Sequence, residues 1–265
     1  DENLYNLHAE KLAGYRVIQI AAGEEYKNQF TVDSIIEELL LMGANKNTFL
    51  IGLGGGVVTD ITGYVAAVYM RGVKFGFVPT SILAMVDAAI GGKNGIDVGV
   101  YKNMIGTIRQ PEFIFYDYSF LKTLPVKEWV NGFAEIIKHA CIKDEFETGD
   151  RKLLNFGHTI GHAIENLHGI PHGHAVSIGM VAACNLSVQL NNFHADDAAK
   201  IVRLLARYHL PVDVETDHAK VFEVLKMDKK RTGDGVQFIL LNTIGKAEIK
   251  YISLLDLEKH FKEIV

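Results

Sequence analysis

Residues 151–165, RKLLNFGHTIGHAIE, carry a cation, an amide, two imidazoles and a carboxylate at spacings of three and four. Residues three and four apart are neighbours on a helix, so Asn155, His158, His162 and Glu165 would share one face, with Arg151 on the same stripe. A metal and an anion suit such a face better than an apolar core does. A plainer reading is a polar helix face with solvated histidines. Glu135 and Lys138 sit among apolar residues in NGFAEIIKHAC, 131–141. That makes them a partly buried pair, and buried charges need partners or a metal. Glu135 with His158 and His172 would form a Glu/His/His set with open coordination positions, as in a catalytic zinc-type centre. His162 would then stand beside the ligands or act as a general acid or base.

Three other stretches offer anion chemistry. GGGVVTD, 54–60, follows an apolar run and opens a helical pattern. Glycines admit a phosphate close to the backbone, and a helix N-terminus supplies N–H donors. The spacing is not GxGxxG, so the ordinary dinucleotide fingerprint is absent; a tight strand–helix turn would look the same. AGEEYK, 22–27, offers Glu24 for ribose hydroxyls and Lys27 for phosphate. DAAIGGK, 87–93, with Lys102-Asn103 and Arg71, supplies cations beside glycine turns that suit a phosphorylated substrate. Surface lysines beside glycines are otherwise ordinarily solvated.

The elements that must position these residues fall into two kinds. Residues 15–20 read as a strand, and residues 32–42 as a helix with Thr31 or Asp33 as cap and Gly43 as stop. Residues 48–53 form a continuous apolar run, expected as a strand buried on both faces of a parallel sheet. Helix 57–69 and strand 74–78 complete a βαβ order. Beyond Leu124-Pro125 the pattern turns helical, over 126–141, 153–167, 175–190, 195–208 and 219–226, with a strand pair at 237–242 and 247–251 across Gly245. The expected fold is an α/β N-terminal domain with a parallel, Rossmann-like but non-GxGxxG sheet, residues 1–120. A mainly α-helical C-terminal domain follows, residues 121–265.

Composition excludes several classes. The chain has 265 residues, 48% hydrophobic and 22% charged, with a net charge of −5. Nothing basic enough for nucleic acid is present. Two cysteines, Cys141 and Cys184, sit in apolar helical patterns and suit a reducing compartment. No apolar run reaches the roughly 18 residues of a membrane span, and no signal peptide opens the chain. A cytoplasmic enzyme is expected.

Taken together, these segments resemble the 3-dehydroquinate synthase family of sugar phosphate cyclases. The resemblance rests on GGGVVTD (54–60), YMRG (69–72), PTSILAMVDAAIGGK (79–93), KNMIG (102–106), LKTLP (121–125), GFAEIIK (132–138), LNFGHTIGHAIE (154–165), HGHAVSIGM (172–180) and DKK (228–230), in family order over nearly the whole chain. It implies a dehydroquinate synthase-like fold, NAD and one divalent metal, zinc or cobalt. The reaction implied converts 3-deoxy-arabino-heptulosonate 7-phosphate to 3-dehydroquinate and phosphate, with no net redox change. By that resemblance Glu135, His158 and His172 hold the metal. Lys93, Asn103, Arg151, Asn155, His162 and Lys229 meet substrate, with Lys138 and Asp87 nearby. Arg71 reaches the neighbouring subunit's phosphate site in a homodimer. Glu24, Lys27, Gly55, Gly56, Val57, Asp60, Thr80, Ser81, Lys93, Lys102, Phe120, Leu121, Lys122 and Thr123 fall to NAD.

The sequence departs from the family in length. A first strand–helix unit is expected ahead of Asp1, and a set of helices between residues 143–145 and 149–151. That set brings a substrate-binding lysine for which this sequence has no counterpart. Ser81 replaces the second Thr of Pro-Thr-Thr, and His174 stands where Glu usually follows His-Gly. The competing readings are a valiolone or inosose synthase, a metal-dependent polyol dehydrogenase, and a non-catalytic homologue. Asn155 and the Lys102-Asn103 pair favour dehydroquinate, and the phosphate-directed cations argue against the dehydrogenase.

Overall fold

The computed structural model describes residues 1–99, 101–142, 151–226, 231–232 and 234–264. They divide into two compact units, Asp1–Trp129 and Val130–Val265. The division falls in the first turn of a long helix, later than the expected 120/121.

In the first unit, α1 (Glu2–His8) is capped by the Asp1 side chain. Residues 15–20 form no strand, which corrects the expectation. Their described backbone hydrogen bonds are Tyr15 N to Leu12 O and Glu2 N to Ile20 O, not a ladder with a neighbouring strand, while Ile18 and Ile20 pack on the core. Helix α2 spans Gln29–Leu41; its cap is Asn28, whose side chain accepts from Thr31 N, rather than Thr31 or Asp33. Gly43 adopts φ +70 just beyond it, a conformation costly for any residue with a Cβ.

Strand β1 (Phe49–Gly54) leads into α3 (Gly56–Val68), and β2 (Lys74–Pro79) pairs with β1 in parallel from Phe49↔Lys74 to Gly54↔Pro79. The expectation that β1 is buried on both faces fails at its start, where Phe49 is 40% and Ile51 is 51% exposed. Beyond a π-helical turn at Ala84–Ala88 come β3 (Lys93–Val98) and β4 (Tyr101–Ile108), an antiparallel hairpin with a register shift between Ile96 and Val98. Phe75, Phe77, Ile61, Val65 and Ile96 form the core of this unit.

Helix α4 (Val126–Ile142) carries a buried face of Asn131, Ala134, Glu135, Ile137, Lys138 and Cys141. The expected helix over 153–167 is interrupted. A 3-10 turn, Arg151–Asn155, precedes α5 (His158–His168), and Gly157 breaks the phase between them at φ +79. Helix α6 (His172–Leu190) runs through the middle of the second unit. Val176, Met180, Ala183 and Cys184 enter one apolar cluster, and Ala175, Ile178, Ala182 and Leu186 enter another. This helix is long and apolar enough to cross a membrane, but 67% of its apolar window is buried inside the protein. It is a core helix, and its burial accounts for its composition. A Cβ on Gly179 would stand 2.0 Å from the Gly157 carbonyl oxygen, so glycine lets α6 approach the start of α5.

Helices α7 (Ala195–Arg207) and α8 (His218–Lys226) follow, then β5 (Arg231–Thr232), β6 (Gly235–Thr243), β7 (Lys246–Ser253) and α9 (Leu254–Ile264). The three strands make an antiparallel sheet in the order β5-β6-β7. Thus the expected hairpin across Gly245 gains a third short strand and a closing helix.

Candidate metal centre and anion-binding residues

Glu135 is fully buried on α4. Its Oε1 lies 3.7 Å from His158 Nε2 and 3.7 Å from His172 Nε2. Its Oε2 meets the Lys138 ammonium, itself 1% exposed. Oε1 faces the two imidazole nitrogens, while Oε2 is held by that ammonium. A fully buried carboxylate needs such partners, and a metal at Oε1 would supply another. The three potential ligand atoms lie within 4.8 Å of one another. Ligands about 2.0–2.1 Å from a tetrahedral zinc stand only somewhat more than 3 Å apart, so the spacing here needs little contraction. The donor set fits a divalent metal such as zinc.

Both histidines present Nε2 for a local reason. His158 Nδ1 lies 3.2 Å from the Phe156 carbonyl oxygen, and His172 Nδ1 lies 3.0 Å from Glu165 Oε2. An N–H donated at Nδ1 leaves the lone pair on Nε2, toward Glu135. The different acceptors set different proton affinities. Burial pushes His158 well below the ordinary imidazole value despite the nearby Glu135 carboxylate. Burial also opposes charge on His172, but Glu135 and Glu165 outweigh it and raise its pKa to about 9. Burial would raise Glu135 too, yet His172, Lys138 and His158 hold it well below the carboxylate range.

His162 stands one turn beyond His158, with ring centroids 5.2 Å apart, and 6.0 Å from the His172 ring. His162, Glu165 and His172 form an overlapping donor group. The Glu135 set is the better centre, because the Glu165 carboxylate is turned to His172 Nδ1 whereas Glu135 Oε1 faces Nε2 of both histidines. Asn155 precedes the Gly157 break and donates its amide to Lys152 O. It therefore does not continue the His158 face, which corrects the single-helix expectation. Arg151 opens the 3-10 turn. Lys229 and the 143–150 junction lie outside the described residues.

The first unit gathers a different group. Lys27 is 5% exposed, and its Nζ lies 2.6 Å from Asp60 Oδ2, donates to Asn103 Oδ1 at 2.7 Å and stands 4.0 Å from Glu24 Oε1. Lys102 Nζ reaches the same Glu24 oxygen at 3.9 Å. Asn103 holds φ +53 within β4, and its N–H donates to Asp97 Oδ1 at 2.6 Å. Burial raises the Asp60 carboxyl to about 6, against the pull of Lys27. Coulombic pull from Asp60 and Glu24 outweighs burial at Lys27 and raises it.

Asp60 lies in α3 after Gly55, Gly56 and Val57, where no side chain caps the helix. That leaves its first N–H groups open to an anion. Thr80 N bonds to Gly54 O, and a Cβ on Gly55 would come 3.5 Å from Ser81 Oγ, so the β1 and β2 ends sit together. Lys93 is exposed at the start of β3, and Asp87 lies in the π-helical turn. Arg71 holds φ +60 beside Met70 at +47, and Lys46 Nζ binds the Met70 and Gly72 carbonyls. Non-glycine residues at positive φ are uncommon and often mark functional turns. Phe120 is buried at the edge of the His8 ring, while Leu121, Lys122 and Thr123 continue the same 3-10 turn; Thr123 Oγ1 lies 3.0 Å from His8 Nε2.

Sequence reasoning passed over Asn131 and Asp97 and gave Glu165 no role. Asn131 Oδ1 accepts from Gly173 N, tying the helix of Glu135 to the residue after His172. The available signal was spacing, since Asn131 precedes Glu135 by one helical turn.

Comparisons with known proteins agree with this division. A profile described as "3-dehydroquinate synthase N-terminal" matches residues 17–131, and one described as "3-dehydroquinate synthase C-terminal" matches residues 134–231. A 3-dehydroquinate synthase of Pyrococcus abyssi is 40% identical over 271 residues, 88% of this chain and 80% of its own length. That alignment is longer than the 265-residue chain although it covers only part of it, so the relative carries internal residues absent here. A 2-deoxy-scyllo-inosose synthase solved with carbaglucose-6-phosphate, NAD+ and Co2+ superposes with TM-score 0.87 at 25% identity, covering 100% of this chain and 88% of that one. A 2-epi-5-epi-valiolone synthase from Streptomyces hygroscopicus with NAD+ and Zn2+ gives 0.90 at 24%, covering 100% and 89%, and shows the shared fold.

Proposed function

The chain belongs to the 3-dehydroquinate synthase family, and from that premise we propose how its residues divide the work. The reaction is conversion of 3-deoxy-arabino-heptulosonate 7-phosphate to 3-dehydroquinate and phosphate. The observation that carries the assignment of roles is the buried Glu135 carboxylate facing Nε2 of both His158 and His172.

These three residues hold one divalent metal, zinc or cobalt, and NAD binds in the first unit. When bound, the metal polarises substrate hydroxyls and NAD serves as a recycled hydride acceptor, so no net oxidation results. Lys138 keeps Glu135 ionised, and the Nδ1 contacts of the histidines keep Nε2 free for the metal. His162 lies beside the ligands as a proton donor or acceptor. The uncapped start of α3 at Gly55, Gly56 and Val57 receives the NAD pyrophosphate, with Thr80 and Ser81 beside it. Glu24 takes ribose hydroxyls, and Lys27, Asp60, Lys102 and the turn containing Phe120–Thr123 complete that role. Lys93, Asn103, Asp87, Arg151, Asn155 and Lys229 bind the substrate's carboxylate, hydroxyls and phosphate, and Arg71 serves a second subunit in a homodimer.

The enzyme is a phosphate-eliminating carbon–oxygen lyase. Its two cysteines are free and buried, which suits a reducing compartment such as the cytoplasm. The test is phosphate release from the seven-carbon phosphate with metal and catalytic NAD. Release that needs NAD without consuming it supports the reading. Net NADH accumulation on a polyol would replace it with a dehydrogenase.

A further inference from the structure

Glu165 lies on α5, two turns beyond His158, and its side chain is 4% exposed. Its Oε2 stands 3.0 Å from His172 Nδ1. His172 is the first residue of α6, so its backbone is set by a different helix from the one that carries Glu165. The side-chain contact therefore joins the two helices at the metal centre. Of the two histidine ligands, His158 finds its Nδ1 partner in a backbone carbonyl two residues away. His172 depends on a side chain for the same service.

We propose that Glu165 is a positioning residue: its carboxylate accepts the Nδ1–H of His172 and so fixes the ring with Nε2 turned toward Glu135. The inference rests on the reading of Glu135, His158 and His172 as metal ligands. A buried carboxylate as outer partner does two things for a ligand imidazole. It selects the tautomer with its lone pair on Nε2, and it restrains rotation of the ring. Gln at this position keeps an acceptor oxygen at the same reach, whereas Met keeps the length and loses the acceptor.

The experiment measures zinc affinity by chelator competition on metal-stripped protein, comparing the parent with Glu165→Gln, Glu165→Met and Glu165→Ala. Removing an outer partner weakens metal binding about 10- to 100-fold, which is the result expected for Met and Ala. Gln should lose about fivefold or less, since its carbonyl still accepts the N–H. Met and Ala variants binding within about twofold of the parent would overturn the proposal. So would loss as complete as in His172→Ala together with a changed Co2+ visible spectrum at saturation, which would make Glu165 a ligand. If Ala does not fold, the Gln–Met pair still decides. Glu135→Gln is the control: zinc affinity unchanged there refutes the metal site itself, whatever Glu165 does.

Discussion

Lys27 and Asp60 form a buried ion pair, 2.6 Å from Nζ to Oδ2, that joins the turn before α2 to the first part of α3. Burial raises Asp60 from 3.8 to about 6 even so. A carboxyl raised in the folded state binds more protons there than in the unfolded chain, so its contribution to stability falls as pH rises from about 4 to about 6. Over that range the parent should lose stability relative to Asp60→Asn, by at most about 3 kcal/mol. Melting temperatures of both proteins across this window, at fixed ionic strength, will check it; a difference independent of pH would refute it.

Lys27→Met removes the cation from a group that also includes Asn103. An uncompensated buried partner costs about 3–5 kcal/mol. Denaturant unfolding should show a loss in this range, and NAD affinity measured by fluorescence titration should fall with it. Retention of full stability would mean that water reaches Asp60 freely.

Glu135→Gln should abolish stoichiometric zinc and turnover together. It also leaves the Lys138 ammonium buried without its carboxylate, at a cost of about 3–5 kcal/mol. Metal analysis and chemical unfolding of the same sample separate the two effects. In the parent, added zinc should raise the melting temperature with concentration, as for any ligand that binds the folded form. Absence of that dependence in the parent would count against the centre.

Asn131→Ala should cost about 1–3 kcal/mol, because the Gly173 N–H loses its acceptor in a buried site. Its larger effect should be on turnover, since Asn131 ties α4 to the start of α6. Asn131→Asp keeps an acceptor at the same reach and should recover much of the stability. Equal losses in both variants would contradict this account.

Gly179→Ala would place a methyl group 2.0 Å from the Gly157 carbonyl oxygen, backbone that cannot swing aside. Overpacking of a rigid contact costs about 1–3 kcal/mol or more. Stability should fall by at least that much, and zinc affinity should fall with it because α5 and α6 carry the two proposed histidine ligands. A variant as stable as the parent would show that the helices can part without cost.

The cluster of Glu135, His158 and His172 was legible because the few residue types that bind zinc stood out against apolar surroundings. Helices α4, α6 and α7 were legible from their apolar period. The break at Gly157 was not, because one glycine inside a helical pattern is compatible with an unbroken helix; only its positive φ ends the first segment. Residues 15–20 have strand composition, but strand formation needs a partner ladder that composition does not report. The β3–β4 hairpin was hidden by glycines and exposed polar residues, and its shift between Ile96 and Val98 breaks the two-residue alternation. Asn131 and Glu165 are single polar residues on amphipathic helices, and their roles arise from tertiary contact.

His158 opens α5 and His172 opens α6, so the two proposed ligand side chains ride on the first residue of separate helices. The N-terminal end of a helix carries about half a positive charge. Both helix starts therefore carry side chains that meet the Glu135 carboxylate, and their field adds to the attraction for negative charge. The direction of these two helices thus adds to what the side chains themselves offer an anion.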